Sequence, residues 1–309
     1  MSDLKLFRID NGTATELQSA SVALERSLQQ VIERNMETPF GVRLLASEYS
    51  TGTKHGGRMD SLGIDENGSP VIFDYKRAVN ENVINQGLFY LDWLVDHRGD
   101  FTMLVLDRLG ADAVAGIDWR NPRLICVASG FTRYDEHAVA QMNRGIDLVR
   151  YRDFGGELLA LDLVHTSKVD DASGSGAPGS APTPAGPKPQ TGKTVSESLD
   201  QAPAVLKDLH GELDAYAMAL GDDVSVKNLK LYFAYRRLKN FLCVEVLSQR
   251  RELVLYVKVN PDSVDLADGF TRDVRQVGHF GTGELEVRVK NPDTLARALP
   301  LVQRSYERS

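Results

Sequence analysis

Apolar and polar positions alternate most clearly in the first third of the chain. Met59, Leu62 and Ile64 favour one strand, and Val71, Ile72, Phe73 and Tyr75 favour a second. The polar, glycine-containing segment at positions 65–70 between them is typical of a turn. The pattern therefore predicts two short strands that are joined by a tight connection.

Helical spacing flanks this hairpin, and further apolar runs follow it. Apolar residues recur at helical spacing between positions 24 and 32, and Gln86 and Tyr90 fall on one face of a second predicted helix. Helices and strands in this order predict an α/β domain with a mixed sheet. The later predicted elements are strands at 101–106, 123–128 and 156–163 and a helix between 135 and 145.

A change in composition divides the chain. Positions 170–193 consist mostly of Gly, Pro, Ser and Ala, a composition that cannot bury enough apolar surface to fold. We therefore predict a first domain at 1–168, a disordered linker at 169–193 and a second domain at 194–309.

The second domain begins with a helix signal. Thr194 and Glu197 match a capping box, and apolar residues then recur at helical spacing until Gly221. We expect a smaller α+β domain of ordinary size. Its other predicted elements are strands at 241–247, 252–259 and 283–289 and a helix at 295–306.

The second strand of the hairpin carries candidate chemistry. Asp74 and Lys76 lie two residues apart, so their side chains share one face of the sheet. If the hairpin closes, Asp60 comes near Asp74 and supplies a second oxygen ligand of the kind that magnesium prefers. Such an ion, Mg²⁺ or Mn²⁺, lowers the pKa of a bound water and neutralises charge on a phosphate. The pattern therefore indicates phosphodiester hydrolysis.

These residues, in this order, resemble the PD-(D/E)XK nuclease superfamily, most closely its NucS-like and RecB-like endonuclease members. The resemblance rests on Asp60, on Asp74 to Lys76 and on Gln86 to Tyr90. It implies a restriction-endonuclease-like mixed sheet flanked by helices. It also implies that Asp60 and Asp74 bind the metal, that Lys76 assists catalysis, and that Gln86 and Tyr90 help to position substrate.

The resemblance also implies a helical glutamate ahead of the hairpin. We prefer Glu25, because it opens the predicted helix, and keep Glu33 as the alternative. The sequence departs from the usual pattern at Met59, where proline is common, and at Asp74, where close relatives more often have Glu. The shorter Asp74 side chain shifts the metal by about one carbon–carbon bond, which bears on activity more than on fold.

Residues around the hairpin are candidates for substrate contact. Together with Tyr90, we assign Arg58 and Arg77 to substrate binding, since the Gly56–Gly57 pair before Arg58 could let a nucleic-acid backbone come close. Glu48 and His55 could also touch substrate or metal, although lone residues of this kind more often lie on an ordinary surface.

A plain structural interpretation stays open for the Asp-x-Lys element. Isolated pairs of this kind are commonly a solvated strand face, with an ion pair worth about 0–1 kcal/mol. We prefer the catalytic interpretation because Asp60, the turn, Asp74, Lys76 and the Gln86 helix arrive in the expected order.

The second domain resembles an uncharacterised C-terminal domain that accompanies nuclease domains. The resemblance rests on positions 271–274 and 277–285, and some such proteins have been labelled predicted transport proteins. We discount that label, because no stretch approaches the roughly 20 consecutive apolar residues of a membrane helix.

Basic and aromatic residues alternate between positions 227 and 251, which permits two interpretations. They could form a nucleic-acid surface, in which aromatic rings stack on bases. We prefer the interpretation in which the aromatic residues form the core side of an element and the basic residues its solvated side. The aromatic residues concerned are Tyr232, Phe233, Tyr235 and Phe241.

Charge and cysteine content narrow the picture further. The formal net charge of −7 argues against nonspecific wrapping of nucleic acid and permits a local basic cleft. The two cysteines, Cys126 and Cys243, lie in separate apolar strands and are expected to be reduced core residues. We expect a cytoplasmic protein without a membrane span.

Two functional hypotheses follow. The first is a magnesium-dependent endonuclease that acts on DNA. The second is a nuclease-fold module that binds nucleic acid or a protein without cutting, an interpretation motivated by the acidic charge and by the departure at Asp74. A protein partner or a second copy of the chain is compatible with both hypotheses.

Overall fold

The structure is a computed structural model that describes residues 4–20, 25–52, 56–77, 83–167 and 194–309. The chain divides into two compact units, Met1–Val169 and Asp170–Ser309. The predicted linker at 169–193 and His55 lie outside the described residues. Each unit contains a six-stranded sheet, and a separate two-stranded hairpin opens the first unit.

A mixed sheet forms the centre of the first unit, in the strand order β3-β4-β5-β6-β7-β8. The pairs β5–β6 and β6–β7 are parallel, and the other neighbouring pairs are antiparallel. This confirms the predicted α/β class with a mixed sheet. The strands of this unit are β1 (Leu6–Asp10), β2 (Thr13–Leu17), β3 (Val42–Ser50), β4 (Arg58–Asp65), β5 (Pro70–Lys76), β6 (Arg123–Ala128), β7 (Gly145–Phe154) and β8 (Leu158–Thr166).

Helices cover both faces of this sheet. Ile72 packs in one core cluster with residues of α3, α4 and α6, whereas the neighbouring Phe73 meets Phe40 of α2 edge to face on the other side. Successive side chains of a strand point to opposite faces, so the two contacts identify two helical layers. The helices are α1 (Glu25–Asn35), α2 (Glu37–Phe40), α3 (Val83–Asp96), α4 (Arg98–Leu109), α5 (Ala111–Ala115) and α6 (Arg133–Ala140).

One strand prediction is wrong. Residues 101–106 lie within the helix α4, where Phe101 and Val105 are buried and Met103 is 56% exposed. The four-residue spacing of the buried positions is that of a helix, and a short apolar run does not distinguish a helix from a strand by periodicity. The run at 123–128 is the strand β6, as predicted. The strand predicted at 156–163 corresponds to β8, which begins two residues later than predicted, at Leu158.

The second unit has a sheet of order β13-β14-β12-β11-β10-β9. The capping box at Thr194 is confirmed, but the predicted single helix is two helices, which are separated at Pro203. Its strands are β9 (Ser225–Asn228), β10 (Phe233–Arg236), β11 (Asn240–Leu247), β12 (Glu252–Val257), β13 (Thr271–Asp273) and β14 (Leu285–Val289). Its helices are α7 (Val195–Asp200), α8 (Ala204–Met218), α9 (Pro292–Glu307) and a 3-10 helix at Pro261–Ser263.

The aromatic residues of β10 and β11 lie in the core of this unit. Phe233, Tyr235 and Phe241 are each at most 5% exposed and pack in one cluster with the helices, and Tyr232 is buried too. The core interpretation of these rings is therefore confirmed. Both cysteines are free thiols in buried strands, as expected. Among the described residues, no helix is long and apolar enough to cross a membrane.

A buried ion network ties three strands of the first unit together. Arg123 at the start of β6 contacts Asp65 Oδ2 of β4 at 3.0 Å and Asp147 Oδ2 of β7 at 2.7 Å. Asp65 also accepts hydrogen bonds from the backbone N–H groups of Asn67 and Ser69, within the turn predicted at 65–70. The network fixes how β4, β6 and β7 are aligned along their length, at the end of the sheet opposite Lys76.

Arg123→Ala should lower the free energy of unfolding of the first unit by about 3–5 kcal/mol, because it leaves two buried carboxylates without their counter-ion. Denaturant unfolding followed by tryptophan fluorescence reports on this unit, since Trp93 and Trp119 both lie in it. Arg120→Ala is the matched control: Arg120 pairs with Asp118 while 51% exposed, so its loss should cost at most about 1 kcal/mol. Equal effects of the two changes would contradict the role given to the buried network.

Candidate active site

Strand pairing brings Asp60 and Asp74 side by side. Ser61 pairs with Phe73 and Leu62 with Ile72, so the next position along the two antiparallel strands joins Asp60 to Asp74. Side chains at such positions have Cβ atoms roughly 4.5–5.5 Å apart on the same face of a sheet. The predicted approach of the two carboxyls is therefore present.

The environment of Asp60 disfavours its charged form. Its Oδ2 atom accepts a hydrogen bond from the Tyr75 backbone N–H at 3.0 Å, and its carbonyl accepts one from Gln29 Nε2 at 2.9 Å. Burial raises the pKa of Asp60 to about 7, and the negative charge of Asp74 acts in the same direction. The Tyr75 hydrogen bond and Lys76 oppose the shift without cancelling it.

Asp74 is 2% exposed and only half of its carboxylate is satisfied. Its Oδ1 atom accepts a hydrogen bond from Lys76 Nζ at 2.6 Å, whereas its buried Oδ2 atom has no donor among the described residues. Burial raises the pKa of Asp74 even though Lys76 opposes the shift. The two carboxyls are close enough to share a proton, but two ionised carboxylates cannot bond to each other. In the ionised pair, the Oδ2 atom of Asp74 therefore lacks a positive partner.

Lys76 remains a charged ammonium. Its Nζ atom lies 2.6 Å from Asp74 Oδ1 and 3.9 Å from Glu25 Oε1, with 15% of the side chain exposed. Burial by itself would lower the pKa of Lys76, but the hydrogen bond and charge of Asp74, with Asp60 and Glu25, raise it above the ordinary value. The ammonium is therefore a fixed positive charge at the rim of the carboxyl pair.

The two candidate glutamates of α1 lie in different places. Glu25 Oε2 accepts a hydrogen bond from the backbone N–H of Arg77 at 2.9 Å, which places this carboxylate beside Lys76. Glu33 Oε1 instead accepts a hydrogen bond from Ser61 Oγ at 2.6 Å. Ser61 and Asp60 are successive strand residues that point to opposite faces, so Glu33 is separated from the Asp60–Asp74 pair by the sheet.

Gln86 and Tyr90 connect α3 to the first residues of β4. Gln86 Nε2 donates to Tyr90 Oη at 3.0 Å, and this oxygen also accepts a hydrogen bond from the Arg58 backbone N–H at 3.3 Å. A Cβ atom on Gly57 would lie 2.7 Å from Tyr90 Cε1, so the close packing of Tyr90 requires glycine there. The sequence suggested that the glycine pair could let a nucleic-acid backbone come close, and the structure adds a packing reason for glycine at position 57.

The two arginine candidates lie at the exposed rim. Arg58 Nε contacts Glu48 Oε2 at 2.7 Å with 66% of the arginine side chain exposed. Arg77 is exposed, and its carbonyl accepts a hydrogen bond from Tyr151 Oη at 2.9 Å. Neither the Glu48 contact nor the Tyr151 contact had a signal in the sequence, because both join residues whose proximity depends on tertiary structure.

Cys126 is a neighbour of the site that sequence reasoning missed. It pairs with Asp74 across the parallel β5–β6 ladder and is fully buried. Burial raises the pKa of the Cys126 thiol well above its usual value, and Asp74 adds to the shift. The thiol is therefore neutral and lines the site next to Asp74. No pattern in the chain could reveal this pair, because the two strands lie far apart in the sequence, with α3, α4 and α5 among the described residues between them.

The carboxyl pair fits a magnesium-type ion better than a metal that needs a complete protein shell. Among the described residues, no three His, Cys, Asp or Glu side chains are grouped so that they could hold a metal ion. Mg²⁺ usually keeps several waters and binds through one or two carboxylates together with substrate phosphates. Asp60 and Asp74 provide such a set, and the unpaired Oδ2 atom of Asp74 marks where positive charge is lacking.

Comparison with known proteins gives matches to each part of the chain. Residues 195–309 match a family described as a domain of unknown function, DUF5655. This agrees with the expected uncharacterised C-terminal domain. An uncharacterized protein of Haemophilus influenzae is 22% identical over 325 aligned positions, which cover 98% of this chain and 100% of that protein.

Solved structures give partial matches. A repair endonuclease from Pyrococcus abyssi is 18% identical with a TM-score of 0.28, and the match covers 42% of this chain and 48% of that one. EndoMS in a dsDNA complex is 21% identical with a TM-score of 0.25, covering 42% and 47% of the two chains. EndoMS in its apo form is 20% identical with a TM-score of 0.26, covering 42% and 48%. The matched region spans about half the length of each of these proteins.

The raised pKa of Asp60 predicts a pH-dependent stability of the first unit. Between the ordinary value of 3.8 and about 7, the folded protein binds more protons than the unfolded chain, so its free energy of unfolding should fall as pH rises. Asp60→Asn removes this titration and can donate a hydrogen bond to Asp74. In the presence of a chelator, it should raise the free energy of unfolding at pH 8 by on the order of 1–2 kcal/mol.

Urea unfolding between pH 5 and pH 8, followed by tryptophan fluorescence, measures this effect. The exposed Asp92 is the matched control, and Asp92→Asn should leave the pH profile unchanged. If the free energy of unfolding of wild type does not change over this pH range, and if Asp60→Asn does not raise it, then the folded protein does not disfavour the ionised pair.

Proposed function

We propose that this chain is a metal-dependent endonuclease that hydrolyses phosphodiester bonds in DNA, with Mg²⁺ or Mn²⁺ as the cofactor. The observation that carries the proposal is the buried carboxyl pair of Asp60 and Asp74, in which Asp74 Oδ1 contacts the Lys76 ammonium and Asp74 Oδ2 has no hydrogen-bond donor among the described residues. A pair of carboxylates next to a fixed positive charge suits a reaction in which negative charge develops on a phosphate.

In this proposal, Asp60 and Asp74 would hold the ion. When bound, the ion would lower the pKa of a water molecule and neutralise charge on the scissile phosphate. The positive partner would also favour the ionised form of both carboxyls, whose pKa values are raised in its absence. Metal binding should therefore release protons near neutral pH.

Lys76 would act through its charge. Because its pKa is raised, the ammonium remains protonated at neutral pH and is unsuited to accept a proton. It can leave Asp74 Oδ1 and interact with the attacking water or a phosphate oxygen. Glu25 lies 3.9 Å from the Nζ atom and offers a second carboxylate that keeps the ammonium at the rim during this exchange.

The remaining candidates would position these groups and the substrate. The Gln86–Tyr90 pair bonds to the backbone of Arg58, two residues before Asp60, and so fixes the start of β4. Arg58 and Arg77 lie exposed beside the site, where a guanidinium can bind a phosphate through two parallel hydrogen bonds. The sequence resemblance to PD-(D/E)XK endonucleases supports DNA as the substrate, and the second unit would then select substrate or partner.

A catalytically silent binding module is the alternative function. It is favoured by the direct contact between Lys76 and Asp74, which already places a positive charge on one carboxylate of the pair. In that case, the fold would present Arg58 and Arg77 to nucleic acid or a protein without a bound metal.

Cleavage of labelled DNA and RNA substrates by wild type and Lys76→Ala distinguishes the two functions. Single-stranded, double-stranded and branched substrates are incubated with Mg²⁺, with Mn²⁺ or with chelator. We expect metal-dependent products from wild type and a rate at least about 100-fold lower in Lys76→Ala, because one positive charge at the transition state is lost.

Lys5→Ala is the matched control, since Lys5 belongs to the same unit and pairs with Glu16 at the surface. It should cut like wild type. Circular dichroism and thermal unfolding establish that each variant is folded. Absence of products on every substrate, with nucleic-acid binding retained by Lys76→Ala, would contradict the enzyme and favour the binding module.

A further inference from the structure

Glu48 occupies the position of β3 between two residues that pair with the sequence neighbours of Asp60. Ser47 pairs with Ser61 and Tyr49 pairs with Met59, so the position between them matches Glu48 with Asp60. Asp60 in turn lies beside Asp74 on β5. Three acidic residues on three adjacent strands therefore occupy one row across the sheet.

The backbone of Glu48 departs from strand geometry at this point. Its φ angle is +55°, in the left-handed region that non-glycine residues seldom adopt. Strained residues of this kind persist where the surrounding structure holds them, and they are frequent at functional sites. The side chain is held by Arg58, whose Nε atom lies 2.7 Å from Glu48 Oε2.

Each outer carboxylate of the row is paired with a basic side chain of the chain itself. Arg58 neutralises Glu48, and Lys76 neutralises one oxygen of Asp74. Both basic residues are ones to which we assign contacts with the substrate. When a phosphate takes either cation, the carboxylate that it leaves becomes available to a metal ion.

We propose that Glu48 is a third acidic residue of the metal site, which Arg58 holds away from it in the free protein and which joins it when Arg58 moves to a substrate phosphate. This inference rests on the proposed function. Both partners of the pair are accessible, with Arg58 66% and Glu48 40% exposed, so a phosphate can reach the arginine without unfolding the strand.

The exchange is favourable in terms of charge and geometry. Arginine can bind a phosphate, as it can bind a carboxylate, through two parallel hydrogen bonds. A hard divalent ion gains an oxygen ligand when Glu48 is released, and affinity for such ions rises with the number of charged ligands. Substrate binding and metal binding would therefore strengthen each other through a single arginine.

A double-mutant cycle on Mn²⁺ affinity, without nucleic acid, tests this exchange. Electron paramagnetic resonance measures free Mn²⁺ in titrations of wild type, Glu48→Gln, Arg58→Ala and the double variant. We expect Arg58→Ala to bind Mn²⁺ about tenfold more tightly, because Glu48 is released. Glu48→Gln alone should change the affinity by at most about twofold, and the double variant should resemble it.

The double variant separates the exchange from plain electrostatics. If Arg58 weakens Mn²⁺ binding only by its positive charge, its removal should tighten binding equally in the Glu48→Gln protein, and that additive result would overturn the inference. The exposed pair of Arg8 and Glu157 provides the control, and Arg8→Ala should leave Mn²⁺ affinity unchanged.

Asp74→Asn distinguishes failure of this inference from failure of the proposed function. Loss of Mn²⁺ binding in Asp74→Asn, together with an additive cycle, would overturn the role of Glu48 and leave the carboxyl-pair site standing. No Mn²⁺ binding by wild type, or full binding by Asp74→Asn, would overturn both. Thermal unfolding in chelator establishes that every variant is folded.

Discussion

The placement of two buried carboxyls side by side is the constraint on which the candidate site depends. The cores on the two faces of the first sheet fix the register of β4 and β5, and this register joins Asp60 to Asp74. A slip of one residue would move Asp74 to the opposite face and remove the pair. Hydrophobic packing therefore stabilises an arrangement that the charges by themselves oppose.

The residues around the pair reduce this electrostatic cost in different ways. Lys76 binds one oxygen of Asp74, and the Tyr75 backbone N–H binds one oxygen of Asp60. When both carboxyls are ionised, the second oxygen of Asp74 has no donor among the described residues, so the negative charge of the pair is incompletely compensated. A site that lacks one positive charge is suited to bind a cation. A cation that binds only the folded protein would raise its free energy of unfolding.

The hairpin chemistry could be predicted because it is local. Alternation places Asp74 and Lys76 on one face, and a short turn leaves few registers in which Asp60 can pair. Helical spacing likewise placed Gln86 next to Tyr90. The contact of Tyr90 with the Arg58 backbone could not be predicted, because it depends on how α3 packs against β4.

Contacts between residues that are distant in the sequence could be identified only from the folded structure. The choice between Glu25 and Glu33 depends on which end of α1 reaches the end of β5, and helical periodicity does not contain that information. The Arg123 network joins three strands from separate parts of the chain, and the φ angle of Glu48 has no sequence signature. The error at Phe101 has the opposite origin, since a short apolar run suits a buried helix as well as a strand.

The most direct measurement is anomalous diffraction from crystals of the protein grown with Mn²⁺. The account predicts an anomalous peak bonded to carboxylate oxygens of both Asp60 and Asp74, with water completing its coordination. Absence of a peak at this pair, in crystals where the Asp74–Lys76 contact is well ordered, would contradict the central claim that the two carboxyls form a cation site.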